Sequence, residues 1–173
     1  MKGRIRLAVA GLLALAVAAG AAALTGGASA TPPDLLQAAK AAAAKFNSVE
    51  QAEKAGYALA SPCIESPAGG MGFHYENPAL MADDRIDPLE PEILVYAARA
   101  NGTLELVAIE YWKRDADGSP ITSGDRPSVH GQAFDGPMPG HSPVMPVHYD
   151  LHVWLYEANA SGTFAPFNPA IDC

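Results

Sequence analysis

Strict alternation of two residue classes marks residues 147–156. Odd-numbered positions carry Val, Tyr, Leu, Val and Leu, whereas even-numbered positions carry His, Asp, His, Trp and Tyr. A period of two, in residues that mostly favour extended backbone, predicts a β-strand. The odd positions are expected to face the hydrophobic core. The other face is then polar and aromatic, formed by His148, Asp150, His152, Trp154 and Tyr156.

Two apolar runs around Asn101-Gly102 give a second β signal. This dipeptide between such runs predicts a hairpin with a two-residue type I′ turn. In that register Ile93 faces Glu110, and Tyr96 faces Val107. Both faces of the hairpin are largely apolar, which places it in the interior of a sheet.

Helical signals dominate the chain before these strands. Residues 35–45 are rich in alanine, residues 48–51 fit a capping box, and Gly56 fits a helix stop. They predict two short helices, or one kinked helix, in an arm over residues 31–56. Residues 57–173 are expected to form a β-rich domain. The predicted fold class is therefore α+β, with an N-terminal helical arm followed by a mainly antiparallel sheet or barrel-like domain.

Glycine and proline become frequent between residues 114 and 146, where no periodic pattern is visible. Stretches of this length without regular structure are uncommon in compact domains and are often binding loops. Prolines hold such a loop stiff and extended. We expect the stretch to be irregular, with residues 131–146 covering a pocket beside the polar face of the 147–156 strand.

The first thirty residues have the pattern of a secretory signal peptide. Three basic residues precede an apolar run over residues 7–24, and Ala28-Ser29-Ala30 offers a small-residue cleavage site. We predict that residues 1–30 are removed and that the protein is extracytoplasmic, either secreted or periplasmic. The sequence after residue 30 contains no hydrophobic segment of spanning length, so no membrane association is expected after cleavage.

Charge disfavours two classes of partner. The leader contains three of the eleven basic residues and none of the nineteen acidic ones, so the remaining chain has a formal net charge of −11. Nucleic acids and anionic membrane surfaces are attracted by basic patches. Neither is expected as a partner, whereas a small molecule or a metal ion is compatible with this charge.

Cysteine occurs twice, at Cys63 and at Cys173. In an oxidising compartment an even number of cysteines predicts a disulfide, and two cysteines allow a single intramolecular pairing. We expect this bond to close the β-rich domain by tying the last residue to its start. A reactive thiol is the alternative, but neither a CxxC spacing nor a nearby histidine supports it.

Histidines carry the candidate metal chemistry. On one strand His148 and His152 lie ~13 Å apart, too far to share a zinc or copper ion easily. A metal site therefore needs ligands from other segments. His74 and His141 are available, and Met145 is a soft ligand suited to copper. The predicted metal ligands are His74, His141, His148 and Met145, with His152 as the alternative to His148, and the metals that these residues suit are copper and zinc.

Residues 74–76 repeat the His-Tyr-acid order of residues 148–150. If these two segments pair in the sheet, their histidines face one cavity. The other side chains on the polar face of the 147–156 strand are then expected to bind a small ligand in that cavity. These predicted ligand-binding residues are His152, Asp150, Trp154 and Tyr156.

Three functions are compatible with this pattern. The leading hypothesis is an exported module that binds a small ligand or a metal in a pocket lined by His, Met and aromatic residues. The alternative is a small-molecule hydrolase or isomerase in which His148 or His152 acts with Asp150 in acid–base catalysis. The third is a structural secreted protein without an active site. The sequence contains no nucleophile elbow, phosphate-binding glycine loop or HExxH motif.

Four longer segments are distinctive: GGMGFHYENPALM, DPLEPEILVY, LVAIEYW and MPGHSPVMPVHYDLHVWLYEANASGTFAPFNP. Together they resemble a family of small exported bacterial proteins without an assigned activity. The resemblance covers roughly residues 56–173 and implies one exported domain from a bacterial source. It assigns no catalytic or ligand-binding role to any residue.

Overall fold

The computed structural model describes residues 32–140 and 144–173. The leader predicted over residues 1–30 and the metal ligand predicted at His141 lie outside these ranges. The strands are β1 (Ala58–Ser61), β2 (Glu65–Ser66), β3 (Gly69–Gly70), β4 (Phe73–Glu76), β5 (Ile93–Ala98), β6 (Leu104–Arg114), β7 (Ser128–Val129), β8 (Gln132–Ala133), β9 (Asp135–Met138) and β10 (His148–Trp154).

In the described part of the chain, six strands form one antiparallel sheet with the order β1-β4-β5-β6-β10-β9. Strands β2 and β3 pair separately, as do β7 and β8. Helices precede this mainly antiparallel sheet, which agrees with the predicted α+β class. The main sheet ends at β1 and β9 and does not close on itself, so the expected barrel-like domain is not found among the described residues.

The helical arm contains α1 (Pro32–Ala43), a 3-10 helix (Ala44–Phe46) and α2 (Val49–Lys54). A further short helix, α3 (Pro78–Ala82), follows β4. The predicted pair of helices is therefore confirmed, and Gly56 follows α2 with a φ of 96°. The capping box is not formed, because Ser48 occupies the N-cap position without a side-chain hydrogen bond.

The arm packs against one face of the sheet and closes the main hydrophobic core. The odd-numbered residues of β10, namely Tyr149, Leu151 and Val153, lie in this core, as the alternation predicted. Burying an aliphatic side chain of this size stabilises the fold by about 1.5–3 kcal/mol. Tyr96 fastens the arm to the sheet by donating its hydroxyl to the Phe46 carbonyl at 2.6 Å.

The hairpin between β5 and β6 differs from the predicted turn. Gly102, with a φ of 80°, donates to the Arg99 carbonyl, and Arg99 N–H donates to the Thr103 carbonyl, so the loop has three residues. The added residue is compensated by a bulge further along the strands. Ile93 therefore lies opposite Glu110 as predicted, whereas Tyr96 lies opposite Leu106 and not Val107.

The glycine- and proline-rich stretch is more regular than expected. It contains the small β7–β8 hairpin, and β9 pairs with β10, with Met138 opposite His148. The prediction of an irregular stretch was therefore wrong for these residues. Strand β9 tolerates Pro137 because it lies at the edge of the sheet, where a strand needs hydrogen bonds on one side only.

The end of the chain returns to the opposite face of the sheet. Cys63 and Cys173 form the predicted disulfide, with 5.4 Å between their Cα atoms. Gly70 N–H donates to the Ile171 carbonyl, and Ile171 packs in a second hydrophobic cluster with Trp154. The last residues thus form a strap over one part of this face. Among the described helices, none combines the length and the apolar character that crossing a membrane requires.

Candidate metal centre

Polar side chains from several strands meet on the face of the sheet opposite the arm. Directly opposed residues of antiparallel strands point to the same side. His152 on β10 lies opposite Glu110 on β6, which lies opposite Ile93 on β5, and Ile93 lies opposite Glu76 on β4. We call this side the polar face, and its buried polar residues are His74, Glu110, His148, Asp150 and His152.

Three of these side chains converge on one point. His74 Nε2 lies 3.2 Å from Glu110 Oε2 and 3.2 Å from His152 Nε2. His152 Nε2 lies 3.5 Å from the same Glu110 oxygen. We call His74, Glu110 and His152 the triad. It is the group of His, Cys, Asp or Glu residues in the described chain whose ligand atoms come close enough to share a metal ion.

The edges of this triangle match a tetrahedral metal site. Zinc binds histidine nitrogen at about 2.0–2.1 Å and carboxylate oxygen at about 2.0–2.2 Å in tetrahedral geometry. Ligand atoms of a regular tetrahedron with such bonds are about 3.3–3.4 Å apart. The observed edges of 3.2, 3.2 and 3.5 Å lie close to this value. The three atoms already have the spacing of zinc ligands.

Ser61 orients the first imidazole. The Ser61 hydroxyl lies 3.2 Å from the Pro62 carbonyl and donates to it, which leaves the hydroxyl oxygen as an acceptor. His74 Nδ1 lies 2.9 Å from this oxygen and donates its hydrogen there. The Nε2 lone pair of His74 then faces Glu110 and His152. A second hydrogen bond of this kind commonly fixes the tautomer of a metal-binding histidine.

Burial and charge act differently on the two imidazoles. Burial opposes the charged form of His74, but the adjacent Glu110 carboxylate outweighs it and raises the pKa of His74. At His152 burial dominates and lowers the pKa, with the neighbouring His74 acting in the same direction. The Glu110 carboxylate therefore favours a positive charge beside it, which a divalent cation would supply.

His152 has a further unusual feature. It is fully buried, and its Nδ1 atom has no hydrogen-bond partner among the described residues. Buried polar atoms without partners are rare, and a bound ion or a functional role is a common reason for them. The ring also stacks against Trp154 at 6.3 Å, so packing fixes its position together with the contact between His152 Nε2 and His74 Nε2.

A pocket of about 450 Å³ adjoins the triad. His74 and Glu110 line this pocket, whereas His152 is buried below its surface. His148 and Met145 line the same pocket. Strands β4 and β10 do not pair, because β5 and β6 lie between them, yet His74 and His148 face one cavity.

The structure separates the predicted metal ligands. His74 belongs to the triad, and Met145 lies at the pocket wall. His148 lies outside the triad: its Nδ1 is 3.0 Å from the Pro146 carbonyl, and its ring stacks on Trp112. The expectation that His148 and His152 do not chelate one ion agrees with this arrangement, since His152 instead meets a histidine from another strand.

The predicted ligand-binding residues are not gathered around the pocket. His152 belongs to the triad, and Asp150 lies 3.6 Å from His148 Nε2, both buried. Trp154 donates its indole N–H to the Ala165 carbonyl at 2.7 Å beneath the strap. Tyr156 follows the end of β10, and its hydroxyl bonds to the Lys40 carbonyl of the arm. These contacts give the last two residues structural roles.

Glu110 is the triad member that the pattern of histidines did not identify. The sequence contains a signal for it, because Glu110 is a lone acid in the apolar run LVAIEYW of a central strand. Carboxylates are almost never fully buried without a partner or a metal. Glu110 is 3 % exposed. A charged residue inside a predicted interior strand is therefore the observation that points to the site.

No protein-family model, no curated protein and no solved structure matches the chain. The geometry of the site is therefore the basis on which a function is proposed.

Proposed function

We propose that this protein is an extracytoplasmic metal-binding module that holds zinc through His74, Glu110 and His152. The observation that carries the proposal is the triangle of buried ligand atoms with edges of 3.2, 3.2 and 3.5 Å. Two imidazoles and one carboxylate form a ligand set that zinc commonly takes in proteins. The disulfide indicates a non-reducing compartment, and the leader-like pattern of residues 1–30 supports export.

Zinc fits the triad better than a copper site built on methionine. Soft sulfur ligands favour Cu(I), whereas imidazole and carboxylate ligands suit zinc. The triad contains no sulfur, and Met145 lies at the pocket wall outside it. Copper(II) binds most nitrogen and oxygen sites more tightly than zinc. Metal analysis of protein purified from its native compartment is therefore the measurement that distinguishes the two metals.

Loss of one triad side chain is expected to weaken zinc binding by about 100-fold or more, because altered orienting residues alone cost 10–100-fold. Metal-free protein should bind one equivalent of zinc in titration calorimetry. His152→Ala, His74→Ala and Glu110→Gln should lose this binding. His148→Ala is the matched control, because His148 is a buried histidine of the same face outside the triad.

Circular dichroism shows whether each variant is folded, and Glu110→Gln keeps the shape of the side chain that it replaces. Wild-type affinity no tighter than millimolar would exclude the proposal. Equal affinity in wild type, Glu110→Gln and His152→Ala would also exclude it. A loss confined to His148→Ala would move the site to the opposite end of the pocket.

Removal of the hydroxyl that orients His74 is a finer test. Ser61→Ala is expected to lower zinc affinity by about 10–100-fold, because the ring loses the acceptor that fixes its tautomer. Ser66→Ala is the control, since the Ser66 hydroxyl accepts from the Ala68 N–H at 3.1 Å in a turn outside the site. Competition with a chromogenic zinc chelator measures both affinities. Equal affinities in the two variants would show that Ser61 does not act on the triad.

A further inference from the structure

Three protein ligands leave one position of a tetrahedral zinc ion unfilled. The described chain brings three ligand residues together, not four. Structural zinc sites normally have four protein ligands, whereas sites with three keep a position for water or for a bound molecule. The ligands supplied by the described residues therefore leave one coordination position open at the proposed zinc site.

The position of the triad determines the side from which a ligand can reach the open coordination position. His152 is 1 % exposed and lies under the other two residues. His74 and Glu110 both line the pocket. A ligand that approaches the ion can therefore reach it only from the pocket side of the described structure. The volume of about 450 Å³ lies in the range of small-molecule sites.

Hydrophobic side chains form the wall of the pocket, among them Met81, Ile93, Trp112, Met145 and Pro146. Arg114 lines the same pocket at the end of β6, opposite His148. It lies four residues from Glu110 along the strand, ~13 Å between Cα atoms, and therefore away from the triad. The apolar wall suits the apolar body of a small ligand.

The bound ion changes the charge of the site. The lining carries the carboxylates Glu76 and Glu110 and the guanidinium group of Arg114, together with the imidazoles of His74 and His148. A divalent ion adds two positive charges to this set, so the metal-loaded pocket attracts anions more strongly than the metal-free pocket. The metal is therefore expected to bind before the organic ligand.

We infer that the zinc-loaded pocket binds a small organic monocarboxylate, whose carboxylate takes the open coordination position at the triad and whose apolar body lies along Trp112 and Met145. This inference rests on the proposed function, because it requires zinc in the triad.

Cobalt(II) in place of zinc provides a direct readout, because its visible absorption spectrum responds to a change of ligand. Hexanoate is the probe, and hexan-1-ol is the neutral control of equal chain length. Hexanoate should change the cobalt spectrum in a saturable way and bind the zinc-loaded protein at least 10-fold more tightly than the metal-free protein. Hexan-1-ol should leave the spectrum unchanged.

Arg114→Gln tests whether the metal or the guanidinium group at the other end of the pocket holds the carboxylate. This variant should bind zinc with an unchanged stoichiometry and bind hexanoate within about twofold of the wild type, because Arg114 lies away from the triad. Hexanoate affinity lowered at least 10-fold in Arg114→Gln would show that the guanidinium group holds the carboxylate and would overturn the inference.

The two proposals fail in different ways. If the protein does not bind zinc or cobalt, both the proposed function and this inference are wrong. If the metal binds but saturating hexanoate leaves the cobalt spectrum unchanged, the proposed function stands and the inference is wrong. Equal hexanoate binding to metal-free and metal-loaded protein would likewise refute the inference alone.

Discussion

Replacing both Cys63 and Cys173 with serine is expected to lower the free energy of unfolding by about 4–5 kcal/mol. The bond joins residues 110 positions apart. A crosslink that closes so long a loop removes many conformations of the unfolded chain, and this entropy is the main source of its stabilisation. The effect is large compared with the 5–15 kcal/mol by which most domains are stable.

The strap that this bond holds also makes hydrogen bonds that do not depend on the disulfide. Asn168 N–H donates to the Gly70 carbonyl, and Cys173 N–H donates to the Glu65 carboxylate. These contacts stay available without the disulfide, so the folded state is expected to remain native-like. The loss should therefore appear as a lower urea midpoint with little change in the spectrum of the folded protein.

Urea denaturation of wild type and double variant measures the difference directly. Wild type treated with reductant should unfold like the variant, which serves as the chemical control. A difference below about 1 kcal/mol would contradict the entropic account. Intact-mass analysis after alkylation, without reductant, should find no free thiol in wild-type protein purified from its native compartment, and two labelled thiols would show that the bond is not formed.

Sequence patterns within a single segment predicted the helices of the arm and strand β10. The alternation over residues 147–156 identified β10 and its core face, because side chains of a strand alternate between two faces whatever its neighbours are. The Asn101-Gly102 hairpin was placed correctly, but its turn was not. The two-residue and three-residue loops differ by one residue, and the bulge that restores the pairing of Ile93 with Glu110 leaves no signal in the sequence.

The site depended on information that local patterns do not contain. His74 reaches the triad because β4 pairs with β5, β5 with β6 and β6 with β10. This strand order arises from contacts between distant segments, which a periodicity does not specify. The sequence identified His74 as a metal ligand but placed His152 among the ligand-binding residues and gave it to the metal only as the alternative to His148. The structure joins them through Glu110, a residue that periodicity placed on the strand without indicating its role.

Strand β9 shows why propensity failed in the glycine- and proline-rich stretch. Gly136 and Pro137 disfavour an interior strand, and they hid the pairing of β9 with β10 from the sequence. Strand β9 lies at the edge of the sheet, where proline is tolerated because the strand pairs on one side only. Met138 consequently lies opposite His148 at the side of the polar face, where the sequence had placed an irregular loop.

The buried carboxylate of Glu92 makes the stability of the fold depend on pH. Glu92 precedes β5, is 1 % exposed, and accepts a hydrogen bond from the Trp112 N–H at 3.1 Å. Burial raises the pKa of Glu92 from 4.5 to about 8, the nearby carboxylates of Asp83 and Glu110 act in the same direction, and backbone hydrogen bonds from Trp112 and Glu92 only partly oppose the effect. The folded protein therefore favours the protonated side chain across the neutral range.

The direction of the pH dependence follows from this raised pKa. Below pH 4.5 the side chain is protonated in both folded and unfolded chains, and its favourable contribution is complete. As pH rises from there to about 8, the unfolded chain ionises while the folded chain resists, so stability is progressively lost. Above the folded pKa the loss reaches a plateau of roughly 4–5 kcal/mol, because one pKa unit corresponds to about 1.4 kcal/mol.

Glu92→Gln is expected to remove this dependence, because glutamine has nearly the same shape, still accepts from Trp112 and does not ionise. The variant should match the wild type near pH 4.5 and become more stable by roughly 4–5 kcal/mol at pH 9. Urea unfolding of metal-free protein at several pH values measures the difference. Glu90→Gln is the control, since its carboxylate is exposed in the same segment and should change stability by less than about 0.5 kcal/mol. A difference between Glu92→Gln and wild type that stays constant from pH 4.5 to pH 9 would show that Glu92 is ionised in the folded protein throughout this range.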